Sequence, residues 1–303
     1  MRSSNLIPLL ASIPAAFAAP SQPLFDNTTA IPTHFGLLVF PHFQALDVFG
    51  PMDVLNTLSM LYGNSTTMYL SIFSKTLEPV STAMRGMHAK GDFGQAIVPT
   101  ITFKDYLASR NGETEDQEDE NLQDEEDDCE DGVGGHGVAK RKRQSNGHGS
   151  MGNSTDIANR GDIEVLFVPG GGGTRQNMTE EIAFVKALYP KLKYIVSICT
   201  GSTILARSGI LDGRRATTNK RSWPWASSTG PNVTWVPTAR WVEDGNIFTS
   251  SGISAGIDVT YAWVSRVYGD KVAEYISLSS EYPREMDPHH DPYGKVWDVP
   301  GAS

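Results

Sequence analysis

The segment Tyr194-Ile-Val-Ser-Ile-Cys-Thr-Gly-Ser-Thr-Ile-Leu-Ala206 constrains the fold of this chain more than any other. An apolar run of strand type stops at one reactive side chain, and a helix-forming run begins within two residues. Such a step exposes the turn residue at the carboxyl end of a sheet, the geometry of a nucleophile elbow. Gly201 suits it, because a residue without Cβ lets strand and helix approach closely. A thiol at Cys199 would face the free N–H groups at the helix start, which predicts a lowered pKa and a raised thiolate fraction. A small apolar side chain filling a strand end would account for the same residue.

The rest of the chain repeats the strand-then-helix alternation. Phe35–Phe40 is a continuous apolar run, as strands covered on both faces are. Asp47–Leu58 follows as a helix with Pro51 near its first turn and Val48, Met52, Leu55 and Leu58 on one face. Met68–Phe73 predicts a second strand and Val98–Phe103 lies near a third. Ile163–Val168 is a central strand running into Pro169 and four glycines, followed by a helix over Thr179–Leu188. Tyr194–Ile198 is a strand and Gly201–Ser208 a helix with Gly209 as its C-cap. Short strands near Val233–Val236 and Ile247–Thr249 precede helices over Ala255–Tyr268 and Asp270–Ser279. Alternation of this kind predicts an α/β fold with a doubly wound, mostly parallel sheet and helices on both faces.

Two stretches stand outside that pattern. Arg2 precedes an apolar run from Leu6 to Phe17, closed by the small-x-small triplet Ala16-Phe17-Ala18, so residues 1–18 are expected to be a secretory signal peptide. A hydrophobic N-terminal helix of the fold is the alternative. The run is too short to span a bilayer and no later one suffices, so no membrane partner is expected. Five N-x-[Ser/Thr] acceptors, at Asn27, Asn64, Asn153, Asn177 and Asn232, agree with a secreted, glycosylated protein. Residues 109–160 carry scarcely an aliphatic side chain and are expected to be a disordered insertion. Thirteen acidic residues lie between Glu113 and Asp131, ahead of the basic run Lys140–Arg143, and they supply most of the net charge of −10. The basic run is a solvated charge cluster or a dibasic processing site, and it is too short to indicate a nucleic-acid partner. One domain over 31–285, interrupted by the insertion, and a polar tail over 286–303 complete the division. His289 and His290 in that tail, flanked by Asp287 and Asp291, could bind metal but read as polar surface. Cys129 falls within the acidic run, so no structural disulfide is expected and Cys199 keeps a free thiol.

Two further features bear on Cys199. Gly170–Gly173 after a strand leave backbone N–H groups unobstructed, an oxyanion hole if the neighbouring loop carries the nucleophile. The Gly-Lys-[Ser/Thr] ending of a phosphate loop is absent, and the spacing does not suit a dinucleotide. Asp47, beyond the first strand, could hydrogen-bond the thiol or move a proton; it could equally N-cap the following helix. Asp53 reads as an exposed helical acid.

The blocks Phe40-Pro-His-Phe-Gln-Ala-Leu-Asp-Val-Phe-Gly-Pro51, Val168-Pro-Gly-Gly171, Cys199-Thr-Gly-Ser202, Gly209-Ile-Leu-Asp-Gly-Arg-Arg-Ala-Thr-Thr218 and Thr249-Ser-Ser-Gly-Ile-Ser-Ala-Gly-Ile-Asp258 resemble the DJ-1/PfpI superfamily. They are most similar to its isonitrile-hydratase-like branch, over about residues 34 to 280. The resemblance implies a flavodoxin-like, class I glutamine amidotransferase-like fold and homodimers. It implies a small-molecule substrate and neither metal nor organic cofactor. By position, Cys199 matches the nucleophile, Asp47 its acidic partner and Thr200 the residue after the nucleophile. Gly171 and Thr200 match the oxyanion donors, and Gly172 joins them as a substrate-binding candidate. The implied activity is hydration or hydrolysis of a small substrate, isonitrile hydration being the nearest model; a non-catalytic or redox-sensing protein with an oxidisable cysteine is the alternative. Many relatives read Thr-Thr-His where this chain has Thr217-Thr218-Asn219, and Asn cannot serve as a general base. That departure weakens a protease-like, amidase-like or glyoxalase-like mechanism. Aromatic pocket walls are expected near Trp223, Trp225 or Trp241.

Overall fold

The computed structural model describes residues 19–26, 31–84, 90–111 and 160–302. Seven strands form one sheet: β1 (His34–Leu38), β2 (Tyr69–Ser74), β3 (Ile101–Thr102), β4 (Val165–Val168), β5 (Tyr194–Ser197), β6 (Trp241–Asp244) and β7 (Ile247–Ser250). Their spatial order is β6-β7-β5-β4-β1-β2-β3, and every neighbouring pair is parallel except β6 with β7. Helices α1 (Ala45–Leu61), α2 (Phe103–Asn111), α3 (Thr179–Leu188), α4 (Ser202–Arg207), α5 (Trp223–Ser228), α6 (Ala255–Tyr268), α7 (Asp270–Ser279) and α8 (Tyr293–Val296) surround it.

Aromatic contacts show why the strands are apolar throughout. On one face Trp263 of α6 meets Phe35 of β1, Phe167 of β4 and Tyr194 of β5 edge-on, at ring separations of 5.8, 6.2 and 5.9 Å. On the other, Phe73 of β2 packs on Tyr106 of α2 at 5.1 Å and on Phe184 of α3 at 5.0 Å. Every residue of β1, β4 and β7 is buried. A parallel sheet covered on both sides has no solvated face to alternate toward. The doubly wound α/β architecture is therefore as the alternation predicts.

Boundaries differ where local contacts decide them. The helix α1 begins at Ala45, so Pro51 lies well inside it rather than near its first turn. With no N–H on Pro51, the Asp47 carbonyl loses its usual helical donor. The strand expected over Val98–Phe103 shrinks to Ile101–Thr102, because the Thr102 hydroxyl caps α2 by accepting from Asp105 N–H at 3.1 Å. Helices α2, α5 and α8 and strand β6 are among the elements that the sequence pattern does not predict. The tail beyond residue 286 packs on the domain, burying Asp291 and Val299.

α2 runs through Asn111, so 109–111 form its last residues, and 112–159 lie outside the described residues. The same holds for 1–18, Asn27, Asn153, Cys129 and the Lys140–Arg143 run. Among the described residues no helix is long and apolar enough to cross a membrane.

The order of strands locates the site. From β1 the chain proceeds outward to β2 and β3, then returns to β4 on the other side of β1 and proceeds the opposite way. Carboxyl ends of parallel strands at such a reversal border a crevice. Asp47 follows β1, Gly170 follows β4 and Cys199 follows β5.

Candidate active site

Cys199 stands at the end of β5 with φ 56°, in the left-handed region that an L-residue seldom enters. Three contacts hold it there. Its N–H donates to Ser251 O at 3.1 Å, and its carbonyl accepts from the Thr218 and Ser202 hydroxyls, each at 3.1 Å. Gly201 permits the turn: a Cβ there would lie 2.3 Å from Val168 O and 2.8 Å from Pro169 O. Strain of this kind survives only where surrounding structure over-determines it. Cys199 carries a free thiol, 5% exposed, at the floor of a cavity of about 580 Å³.

Three donors converge on the sulfur: the backbone N–H groups of Ile253 and Thr200, and the Asn219 side chain. Asn219 Oδ1 is engaged by Ser222 N–H at 2.9 Å, which turns the amide –NH2 toward the thiol. Ile253 sits at φ 41°, a second strained position for a β-branched residue, and this brings its N–H to the sulfur. The chain's Asn219 thus occupies the thiol's surroundings as a fixed donor, where it can stabilise negative charge without taking a proton.

Asp47 lies third in α1 and is buried; it does not cap the helix, whose N-cap residue Gln44 makes no side-chain cap bond. Its Oδ2 accepts from Gly170 N–H at 2.9 Å, and a hydrogen bond links the carboxyl to Cys199. Oδ1 has no hydrogen-bond partner. Burial raises the Asp47 pKa from 3.8 to about 7, against the lowering effects of Gly170 N–H and Cys199. The carboxyl therefore changes protonation near neutrality, as a proton shuttle needs.

The thiol departs from the sequence expectation. Burial, and then the neighbouring Asp47 charge, push the Cys199 pKa well above its ordinary value, with the three donors only partly offsetting them. The six-residue helix α4 offers a weak dipole, and desolvation outweighs it. The resting sulfur is a protonated thiol whose proton has a neighbouring carboxyl to go to.

The glycine loop approaches from β4. Gly171 N–H donates to Thr200 Oγ1 at 3.0 Å, so this expected oxyanion donor is engaged by the Thr200 side chain. The Thr174 and Thr200 hydroxyls lie 3.0 Å apart, tying the loop to the elbow. A Cβ on Gly170 would fall 2.6 Å from Thr200 N. Gly171 and Gly172 both line the cavity beside Cys199 and Thr200. The structure thus gathers Cys199, Asp47, Thr200, Gly171 and Gly172 at one crevice. It adds Ile253 and Asn219, and Ile253 is the contact that sequence reasoning missed; its only signal was the quoted Ser-Gly-Ile-Ser block.

Of the tryptophans expected on the walls, Trp223 and Trp241 are buried in the fold. Trp225 supports Arg175, whose guanidinium lies 3.9 Å from the ring centre. Tyr293 and Trp297, from the segment read as a polar tail, line an adjoining recess of about 240 Å³. His290 pairs with Glu285 at 2.7 Å, and among the described residues no cluster of three or more His, Cys, Asp or Glu is arranged to hold a metal ion. The expected glycosylation acceptors Asn64, Asn177 and Asn232 are exposed.

Comparison with known proteins bears on the same residues. The family model for the DJ-1/PfpI family matches residues 133–266. Isonitrile hydratase from Pseudomonas putida is 28% identical over 250 residues, covering 82% of this chain and 77% of that protein. The HTH-type transcriptional regulator GbdR from Pseudomonas aeruginosa is 30% identical over 123 residues, 40% of this chain and 33% of the regulator. Among solved structures, a ThiJ/PfpI family protein from Pseudomonas syringae superposes with a TM-score of 0.54 at 23% identity, covering 90% of this chain and 85% of that one. DJ-1beta from Drosophila melanogaster gives 0.52 at 14% identity, over 84% and 100% of the two chains. Strand order, elbow and family match agree on the likeness: the chain is similar to the DJ-1/PfpI family over residues 133–266 and to isonitrile hydratase over most of its length.

Proposed function

We propose that the protein hydrates a small isonitrile to the corresponding N-substituted formamide, using Cys199 as nucleophile and Asp47 as proton shuttle. The observation that carries this reading is the buried carboxyl titrating near neutrality and hydrogen-bonded to a thiol at a cavity floor. The isonitrile hydratase relative and its coverage of most of this chain support it.

The chemistry follows from those positions. The terminal carbon of an isonitrile accepts both a proton and a nucleophile. Asp47 takes the thiol proton and passes it to that carbon as Sγ bonds to the same atom. The product is a thioimidate, with S and H added and nothing expelled. Water then adds to the carbon, with Asp47 receiving one of its protons. The C–S bond breaks, the nitrogen is protonated, and formamide leaves with the thiol restored. The Ile253 and Thr200 N–H groups and the Asn219 amide stabilise sulfur whenever it carries negative charge.

A redox-sensing role asks for an exposed, low-pKa thiolate. The burial of Cys199 and its upward shift weigh against it. The secreted, glycosylated state belongs to the same proposal, supported by the N-terminal apolar run and the acceptor sites. So does the homodimer, supported by Leu46 and Phe49 of α1, which are exposed beside a groove lined by Ile257 and Tyr261.

The test is turnover of a small alkyl isonitrile by wild type and Cys199→Ala, followed as formamide. Formamide from wild type and none from a folded Cys199→Ala variant is the expected result. Equal turnover by both would refute the assignment.

A further inference from the structure

Two arginines stand at the walls of the Cys199 cavity and have no part in the chemistry above. Arg175 belongs to the turn that also supplies Gly171 and Gly172; Arg221 lies two residues beyond Asn219. They come from different loops, on either side of the elbow. Neither is left to roam. The Arg175 guanidinium lies on the Trp225 face at 3.9 Å, and that of Arg221 lies 5.6 Å from the centre of the Trp297 ring. Stacking of this kind fixes the plane of the group and leaves its N–H edges available. Among the described residues, no acidic side chain lines this cavity, Asp47 being beneath its floor.

Two oriented guanidinium groups without a carboxylate between them form a receptor for an anion. The planar fork matches a carboxylate by paired N–H···O bonds. Next to them, the adjoining recess carries Tyr293 and Trp297, which suits an apolar or aromatic group. We infer that the Cys199 site selects substrates bearing a carboxylate, held by Arg175 and Arg221, with the reacting carbon at Sγ. The choice of reacting group rests on the hydratase reading; the carboxylate preference rests on the arginines alone. Arg175 and Arg221 are then specificity-determining residues.

The experiment pairs isocyanoacetate with its methyl ester, two molecules that share a reacting group and differ in charge. In the full chain, kcat/KM for the acid is expected to exceed that for the ester at least tenfold. In the Arg175→Gln/Arg221→Gln double variant that ratio falls to near one, chiefly through KM for the acid. The ratio is insensitive to a general loss of activity, and circular dichroism establishes that the variant is folded. A second arm measures binding alone, by tryptophan fluorescence, with Cys199→Ala as the background. There the acid is expected to bind at least tenfold more tightly than the ester, and the arginine substitutions remove the difference. Equal binding of acid and ester, or an advantage that survives loss of both arginines, would overturn the inference. Absence of turnover alongside selective binding of the acid would refute the hydratase reading and leave the carboxylate preference standing.

Discussion

Replacing Asp47 by Asn should stabilise the protein while removing its activity. The buried carboxyl has a folded pKa of about 7 against an ordinary 3.8. Between those values the folded state binds more protons than the unfolded chain, so stability falls as pH rises through that window. The cost is absent below the lower value and complete above the upper one. At about 1.4 kcal/mol per pKa unit, it amounts to about 4 kcal/mol at pH 8 as an upper bound. Asn is nearly isosteric. Its oxygen can keep the bond from Gly170 N–H, and its –NH2 would occupy the place of Oδ1, which has no partner. The assay is urea denaturation of both proteins at pH 4, 6 and 8, comparing midpoints and slopes. Subtracting one protein from the other cancels every other titrating group. Asp47→Asn should match wild type at pH 4 and exceed it by about 2–4 kcal/mol at pH 8. A gain independent of pH, or a destabilised variant at pH 8, would refute the reasoning. A site that costs the free protein stability to keep a proton mobile is a familiar trade.

Gly201→Ala should destabilise by about 1–3 kcal/mol in urea denaturation, because its Cβ meets two backbone carbonyls that cannot move aside. Asn219→Ala should lower kcat/KM about 10- to 100-fold, read from steady-state kinetics, since one of three donors on the sulfur is lost. Lys220 is buried, donates to Thr217 Oγ1 and Ala239 O at 2.7 Å each, and faces Asp291 at 3.5 Å. Burial depresses its pKa from 10.5 to about 8. The unfolded chain therefore binds more protons between those values, and wild-type stability relative to Lys220→Met should rise as pH climbs through that window. Denaturation at pH 7.5, 9 and 10.5 checks the sign.

The fold was legible because its signals are local. Helices over Thr179–Leu188, Ala255–Tyr268 and Asp270–Ser279 have the ends that the pattern predicts. Continuous apolar runs marked β1, β4 and β5. What escaped depends on distant partners. The segment after residue 286 looks polar, yet Asp291 is drawn inward by Lys220, from far earlier in the chain, and its neighbours then wall the recess. The β6–β7 hairpin turns at Gly245, at φ 67°, within Asp244-Gly245-Asn246, where the Asp-Gly pair is a local hairpin signal. At the site, Cys199, Asp47 and the glycine loop could be named from the strand-to-helix steps. The sign of the thiol's shift could not. It turns on burial and on a carboxylate brought in from helix α1, and neither is written near Cys199.

The most direct test of the central claim is the intact mass of the protein during a single turnover with a small alkyl isonitrile. Addition of S–H across the carbon expels nothing, so Cys199 should transiently gain the mass of one whole isonitrile and lose it as formamide appears. Formamide produced with no such adduct, or with the adduct on a residue other than Cys199, would contradict the account.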